Sequence, residues 1–91
     1  MKKIGMHYQI TGRVQGVCFR AATTKKANAL ELTGWVRNTH EGGVEIKAFG
    51  NEDALHELFT WLHKGPLLAK VTDIQSSAIA YESLDTFEII D

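Results

Sequence analysis

The sequence predicts an α+β sandwich, with two helices packed on one face of a four- to five-stranded antiparallel sheet. Three observations carry this. Leu55, Leu58, Phe59 and Leu62 recur at i, i+3, i+4 and i+7, the spacing of one helix face. Met6 to Thr11 and Val44 to Phe49 alternate apolar and polar residues, the period of a half-buried strand. The segments follow one another as β-α-β-β-α-β plus a last strand, and laying both helices on one sheet face is the economical way to bury their apolar sides.

The elements are read in order. Met6 to Thr11 is the first strand and about Arg20 to Leu32 the first helix, its apolar side supplied by Ala22, Ala27, Ala29, Leu30 and Leu32. Gly34 to Asn38 reads as a second strand, Glu41-Gly42-Gly43 as a hairpin turn, and Val44 to Phe49 as a third strand broken by Gly50. Asn51 suits an N-cap, and Glu52 and Asp53 suit the positive first turn of a second helix that Gly65-Pro66 ends. Val71 to Ile79 makes a fourth strand whose alternation slips near Thr72-Asp73, and Thr86 to Ile90 a short edge or central strand. This is the ferredoxin-like arrangement.

A chain of 91 residues is expected to form one domain, residues 1–91. With 44% hydrophobic and 23% charged residues, disorder is not expected. A net charge of −1 with scattered Lys and Arg offers no footprint for a nucleic-acid backbone. No apolar run has the length of a membrane span, and the residues after Lys2-Lys3 make no signal-peptide core. A single cysteine, Cys18, excludes an internal disulfide and fits a reducing compartment, so a cytoplasmic protein is expected. A monomer is expected too, since little apolar surface is left over.

Gly12 to Arg20, G-R-V-Q-G-V-C-F-R, joins the first strand to the first helix. Free N–H groups and the positive helix end already favour an anion there. Arg20 at the helix entrance adds a planar fork that fits two phosphate oxygens. The local chemistry suggests a pocket for a small phosphate or carboxylate.

This motif, followed by Asn38 within G-W-V-R-N, the E-G-G-V hairpin, W-L-H-K-G-P and the closing F-E-I-I, resembles the acylphosphatase family along the whole chain. The resemblance implies a hydrolase that splits the mixed anhydride of a carboxylic acid and phosphate without a metal or other cofactor. Its substrate would be a small acyl phosphate and one product inorganic phosphate. It implies that Arg20 binds the phosphoryl group, that the N–H groups of Gln15, Gly16, Val17, Cys18, Phe19 and Arg20 cradle its oxygens, and that Asn38 holds the attacking water. Leu67 stands where family members often carry a second proline, and the Ala80 to Asp85 loop has no assignable feature.

Other readings compete. Arg20 would also serve as a helix cap or ion-pair partner, and Asn38 as a turn residue. Cys18 lacks the arginine of a cysteine-dependent phosphate loop, since position 24 is Thr24, so it is read as a small residue filling the loop. His7, His40, His56 and His63 show no metal-ligand pattern, and His56 and His63 are read as solvated. Arg13 and Arg37 are read as surface charge near the mouth, and Trp35 and Trp61 as core or core-edge aromatics. An RNA-binding sheet would need several exposed aromatics, whereas Phe49 is the only obvious one among the outward positions His7, Gln9, Glu45 and Lys47. A metal-transfer domain would need paired cysteines. A non-catalytic anion-binding or regulatory module keeping the same pocket is the alternative to an enzyme.

Overall fold

A computed structural model describes residues 2–91. The chain runs β1 (Lys3–Arg13), α1 (Phe19–Ala29), β2 (Thr33–Asn38), β3 (Val44–Asn51), α2 (Glu52–Leu62), β4 (Lys70–Ile79) and β5 (Phe87–Ile89). The strands form one sheet in the order β4-β1-β3-β2-β5. Four of them pair antiparallel, as expected, while β5 lies parallel to β2 at the edge and makes the sheet mixed. Among the described residues no helix is long and apolar enough to cross a membrane.

Both helices pack on one sheet face. Tyr8 and Ile10 of β1, Val36 of β2, Val44, Ile46 and Ala48 of β3, and Phe87 of β5 meet Phe19 and Ala27 of α1 and Leu55, Leu58 and Leu62 of α2. The period-two and i, i+3, i+4, i+7 patterns are thus the two sides of one core. Tyr8 also pins α2, its hydroxyl donating to the Leu55 carbonyl at 3.4 Å. Burial pushes that hydroxyl up to about 12, so it stays a donor at any ordinary pH.

Several boundaries differ from those expected. β1 reaches from Lys3 to Arg13 rather than Met6 to Thr11, because both β3 and β4 pair along it. β3 does not break at Gly50 but runs to Asn51, where Lys3 is its partner. Asn51 does begin α2, with Glu52 and Asp53 in the first turn, yet its side chain makes no capping bond. β5 is only Phe87–Ile89, shorter than Thr86 to Ile90. The slip near Thr72-Asp73 is a bulge: Thr11 faces Asp73 and Gly12 faces Val71, so Thr72 is passed over.

Helix α1 stops at Ala29, short of Leu32. The Leu32 N–H donates to the Ala27 carbonyl at 2.9 Å and the Glu31 N–H to the Asn28 carbonyl at 3.0 Å, the two bonds of a Schellman stop. Glu31, at φ 59°, occupies the left-handed position that glycine usually holds. This frees Leu32 to turn back into the core, where it is buried.

The other sheet face carries His7, Gln9, Trp35, Arg37, Glu45, Lys47 and Phe49. Phe49 is buried there because the segment joining β4 to β5 crosses above it, with Tyr81 set edge-on at 6.2 Å. That segment must pass from one sheet edge to the other, four strand spacings or roughly 19 Å. Its seven residues, 80–86, span at most about 25 Å, so it crosses with little slack. Gly5 permits the crossing: a Cβ there would stand 2.8 Å from Phe49 and 2.9 Å from the Ala80 carbonyl oxygen. Trp35 is not a core residue but a half-buried one on this face, flanked by Arg37 at 5.7 Å and Lys47 at 5.9 Å. Trp61 does sit at the core edge, against Phe19.

Replacing Glu31 by glycine should relieve the left-handed strain and stabilise the fold by about 0.5–1 kcal/mol in a urea melt. A loss of stability would show that the stop depends on the Glu31 side chain.

Candidate active site

Strands β1 and β2 both run antiparallel to β3, so their C-terminal ends flank the start of β3 at one end of the sheet, and β5 ends beside β2. This places the segment after β1, the Asn38 end of β2 and Ile89 at one rim of the sheet, under the N-terminus of α1. A hollow of about 410 Å3 opens there, lined by Val14, Gly16, Cys18, Phe19, Arg20, Ala21, Asn38 and Ile89. Arg20 and Asn38, eighteen positions apart, therefore share one cavity. A smaller hollow of about 230 Å3 between α2 and β1, lined by Met6, Tyr8, Leu55 and Phe59 among others, carries no lysine or arginine and sets its one imidazole, His56, in the same lining as the Glu52 carboxylate.

The segment from Val14 to Cys18 is irregular, and two of its residues take left-handed backbone: Gly16 at φ 75° and Cys18 at φ 64°. For Gly16 the constraint is this dihedral and not crowding, since a Cβ would meet nothing within 4 Å. Cys18, the residue before α1, has a conformation that costs a non-glycine residue of order 1–3 kcal/mol. No side chain caps the helix. Among the described residues the N–H groups of Gln15 to Arg20 donate to no protein acceptor, so they remain available to an anion.

Gln15 has a role that its sequence position did not suggest. Its side-chain amide donates to the Thr39 carbonyl at 2.9 Å and the Gly43 carbonyl at 2.8 Å. It thereby fastens the loop to the β2–β3 hairpin, whose own closure uses the Thr39 hydroxyl accepting from the Gly43 N–H at 3.0 Å. Neither Gln15 nor Val17 lines the hollow, whereas Gly16, Cys18, Phe19 and Arg20 do.

The two arginines near the rim differ. Arg37 is committed: its Nη2 and Nε lie 2.6 and 2.7 Å from Glu45 Oε1, and His7 Nε2 lies 2.6 Å from the other carboxylate oxygen. Burial raises the Glu45 carboxyl, but the hydrogen bonds from His7 and Arg37, with their charge, outweigh it and hold the group below its usual range. The guanidinium of Arg20 has no carboxylate or other acceptor among the described residues, which removes the ion-pair reading of it. Asn38 Oδ1 is a buried acceptor without a partner, one of two such side-chain atoms among the described residues, the other being Thr23 Oγ1. A buried acceptor is normally satisfied, so one left open at a cavity wall is suited to a bound water or ligand.

Among the described residues no group of three or more His, Cys, Asp or Glu side chains gathers to hold a metal ion. His56 and His63 are exposed, the latter against the Phe59 ring at 4.6 Å. Cys18 is exposed as well.

Known proteins resemble the chain as a whole. The family model described as Acylphosphatase matches residues 6–89. The chain belongs to the acylphosphatase family. An acylphosphatase of Legionella pneumophila (strain Corby) is 44% identical over 89 residues, 98% of each chain. The structure of an acylphosphatase from Coxiella burnetii superposes with a TM-score of 0.94 at 39% identity, covering 97% of this chain and 93% of that one. The crystal structure of acylphosphatase from Bacillus subtilis also gives 0.94, at 36% identity over 97% of this chain and 99% of that one. The chain is thus similar to acylphosphatases over nearly their whole length, and an enzyme of this family is a hydrolase acting on acyl phosphates.

The Glu45 cluster predicts a pH effect on the acylphosphatase fold. A carboxyl whose folded pKa is depressed stabilises the fold above its unfolded value and loses that contribution as pH falls through the folded one. Stability should decline as pH drops below about 4.5, the unfolded value for Glu45, and Glu45→Gln should make the decline shallower in urea melts. Parallel curves for the two proteins would show that the pairing contributes nothing.

Proposed function

We propose that this chain hydrolyses the mixed anhydride of a carboxylic acid and phosphate, without a metal, with Arg20 and the amides of Gln15 to Arg20 holding the phosphoryl group and Asn38 orienting the attacking water. The observation that carries the reading is the convergence of an unpaired guanidinium and an unpaired buried amide oxygen on one cavity at a helix N-terminus.

The chemistry follows from those groups. A phosphoryl transition state spreads negative charge over its equatorial oxygens, so donors fixed around them stabilise it most. Arg20 supplies a bidentate fork and the loop amides supply further donors that need no reorganisation. Asn38 accepts a hydrogen bond from water through Oδ1 and donates through its NH2, which fixes orientation without adding charge. A carboxylate at this position would repel the phosphate. Water oxygen bonds to phosphorus as the bond to the acyl oxygen breaks, and that electron pair leaves with the carboxylate. The carboxylate is a stable leaving group that needs no general acid. No carboxylate or imidazole lines the hollow, so the water's proton passes to a phosphoryl oxygen.

Purified protein should cleave benzoyl phosphate readily and p-nitrophenyl phosphate hardly at all, at a rate that a chelator does not change. If benzoyl phosphate is bound but never turned over, the chain is an anion-binding module instead. Arg20→Ala should lower kcat/KM on the order of a hundredfold or more, and Arg20→Lys should recover little because a point charge lacks the fork. Asn38→Ala should lower kcat far more than affinity for inorganic phosphate; an equal loss of both would reassign Asn38 to binding.

A further inference from the structure

Apolar surface is left over at one turn. Among the described residues six large apolar side chains are exposed, and Leu67 at 98% and Leu68 at 69% stand well above the other four. The two occupy the central positions of a hydrogen-bonded turn, in which the Ala69 N–H donates to the Pro66 carbonyl at 3.0 Å. Such positions ordinarily hold Pro, Gly, Asn, Asp or Ser. The turn is held so that both leucines project. The Gly65 N–H donates to the Trp61 carbonyl at 2.9 Å, and Gly65 is seated on Phe19, where an added Cβ would stand 2.7 Å from the ring. Phe19 lies between Cys18 and Arg20, so the leucine turn adjoins the anion-binding loop.

The surroundings are cationic. Lys64 and Lys70 flank the turn, and Arg13 is the register partner of Lys70 across β1 and β4. All three are exposed, and among the described residues none lies within ion-pair distance of a carboxylate. No Asp or Glu occurs between Glu57 and Asp73, and the first turn of α1 has none either. Glu57 is already paired with Lys26 at 3.6 Å. Asp73 stands three strand residues beyond Lys70, roughly 10 Å along β4.

The charge and composition of this patch decide what covers it. A second copy meeting the turn across a two-fold axis would set Lys64, Lys70 and Arg13 against the same three residues, like charge on like. A folded protein partner would be anchored by aromatic residues and arginine, whereas leucine is scarce among such anchors and lysine is depleted from interface centres. A bilayer surface suits the opposite composition. Apolar side chains enter the acyl boundary, and long basic side chains keep their heads among anionic lipid phosphates. We infer that the Pro66–Ala69 turn docks this protein on anionic membrane surfaces, with Leu67 and Leu68 entering the acyl boundary and Lys64, Lys70 and Arg13 lying over the headgroups. Docking of this kind needs no hydrolysis at the neighbouring site, and it brings the loop after β1 close to the headgroups. Two leucines bury less than one myristoyl chain, so the binding is weak and reversible.

Co-sedimentation of the purified protein with excess vesicles tests this, using phosphatidylcholine alone and equal parts of phosphatidylcholine and phosphatidylglycerol. The natural protein should bind the mixed vesicles, and bind pure phosphatidylcholine at least about tenfold more weakly. Leu67→Ser combined with Leu68→Ser should lower binding to the mixed vesicles at least about tenfold. Lys64→Gln combined with Lys70→Gln should lower it about twentyfold, at roughly fivefold for each basic residue. Both variants should keep the urea midpoint of the natural protein, because exposed positions carry little stability. Leu67→Trp should shift tryptophan emission to the blue on mixed vesicles, beyond any change seen in the natural protein. No sedimentation with mixed vesicles, equal binding to both lipids, or a double-serine variant that binds as well as the natural protein would overturn the inference. So would a dimer or a cross-linked protein partner that is lost with the two leucines while vesicles are not bound.

Discussion

The paired hydrogen bonds from the Gln15 amide to the Thr39 and Gly43 carbonyls hold the site together. Without them the loop after β1 and the hairpin after β2 would be two separate features of one sheet rim. With them, the segment that presents Arg20 and its amides has a set distance to the strand that ends in Asn38. The constraint is local, and it costs backbone strain. Gly16 and Cys18 take left-handed conformations so that the chain can turn from a strand into a helix within five residues while its N–H groups stay unpaired. The core beneath, where Phe19 and Val14 are fully buried, supplies the rigidity that holds this conformation in place.

The sheet topology does the remaining positioning. Because β1 and β2 flank β3 and run the same way, their C-terminal ends share one rim of the sheet, and β5, parallel to β2, delivers a third element to it. The short crossing of residues 80–86 brings β5 there, seated on Phe49 through Tyr81 and admitted by Gly5. A segment without any recognisable motif thus decides which strand stands beside β2 at this rim. The gathering of the loop after β1, the end of β2 and the end of β5 follows from one arrangement of strands.

Much of this was legible in the sequence, for definable reasons. The core strands and α2 were readable because their apolar periodicity is local, and Arg20 and Asn38 were readable because a motif of glycines, an arginine and a following asparagine keeps its order along the chain. The slip at Thr72 was visible as a fault in alternation, although only pairing reveals it as a bulge opposite Gly12. Other features had no local signal. The stop of α1 uses Glu31 where glycine would have announced it. A strand of three residues has no period to read, so β5 and its parallel direction needed the tertiary structure. Register alone joins His7, Arg37 and Glu45, which come from three strands. Ile89 and Ala21 are ordinary apolar residues until the fold gathers them, and the bracing role of Gln15 depends on a hairpin 24 residues away.

The most direct measurement is a crystal structure with orthophosphate soaked into the protein. The anion should sit against the N–H groups of residues 15–20 with the Arg20 guanidinium making two contacts, and a water should lie between Asn38 Oδ1 and phosphorus. An anion bound elsewhere on the surface, or one that leaves Arg20 turned away to solvent and Asn38 without a water, would contradict this.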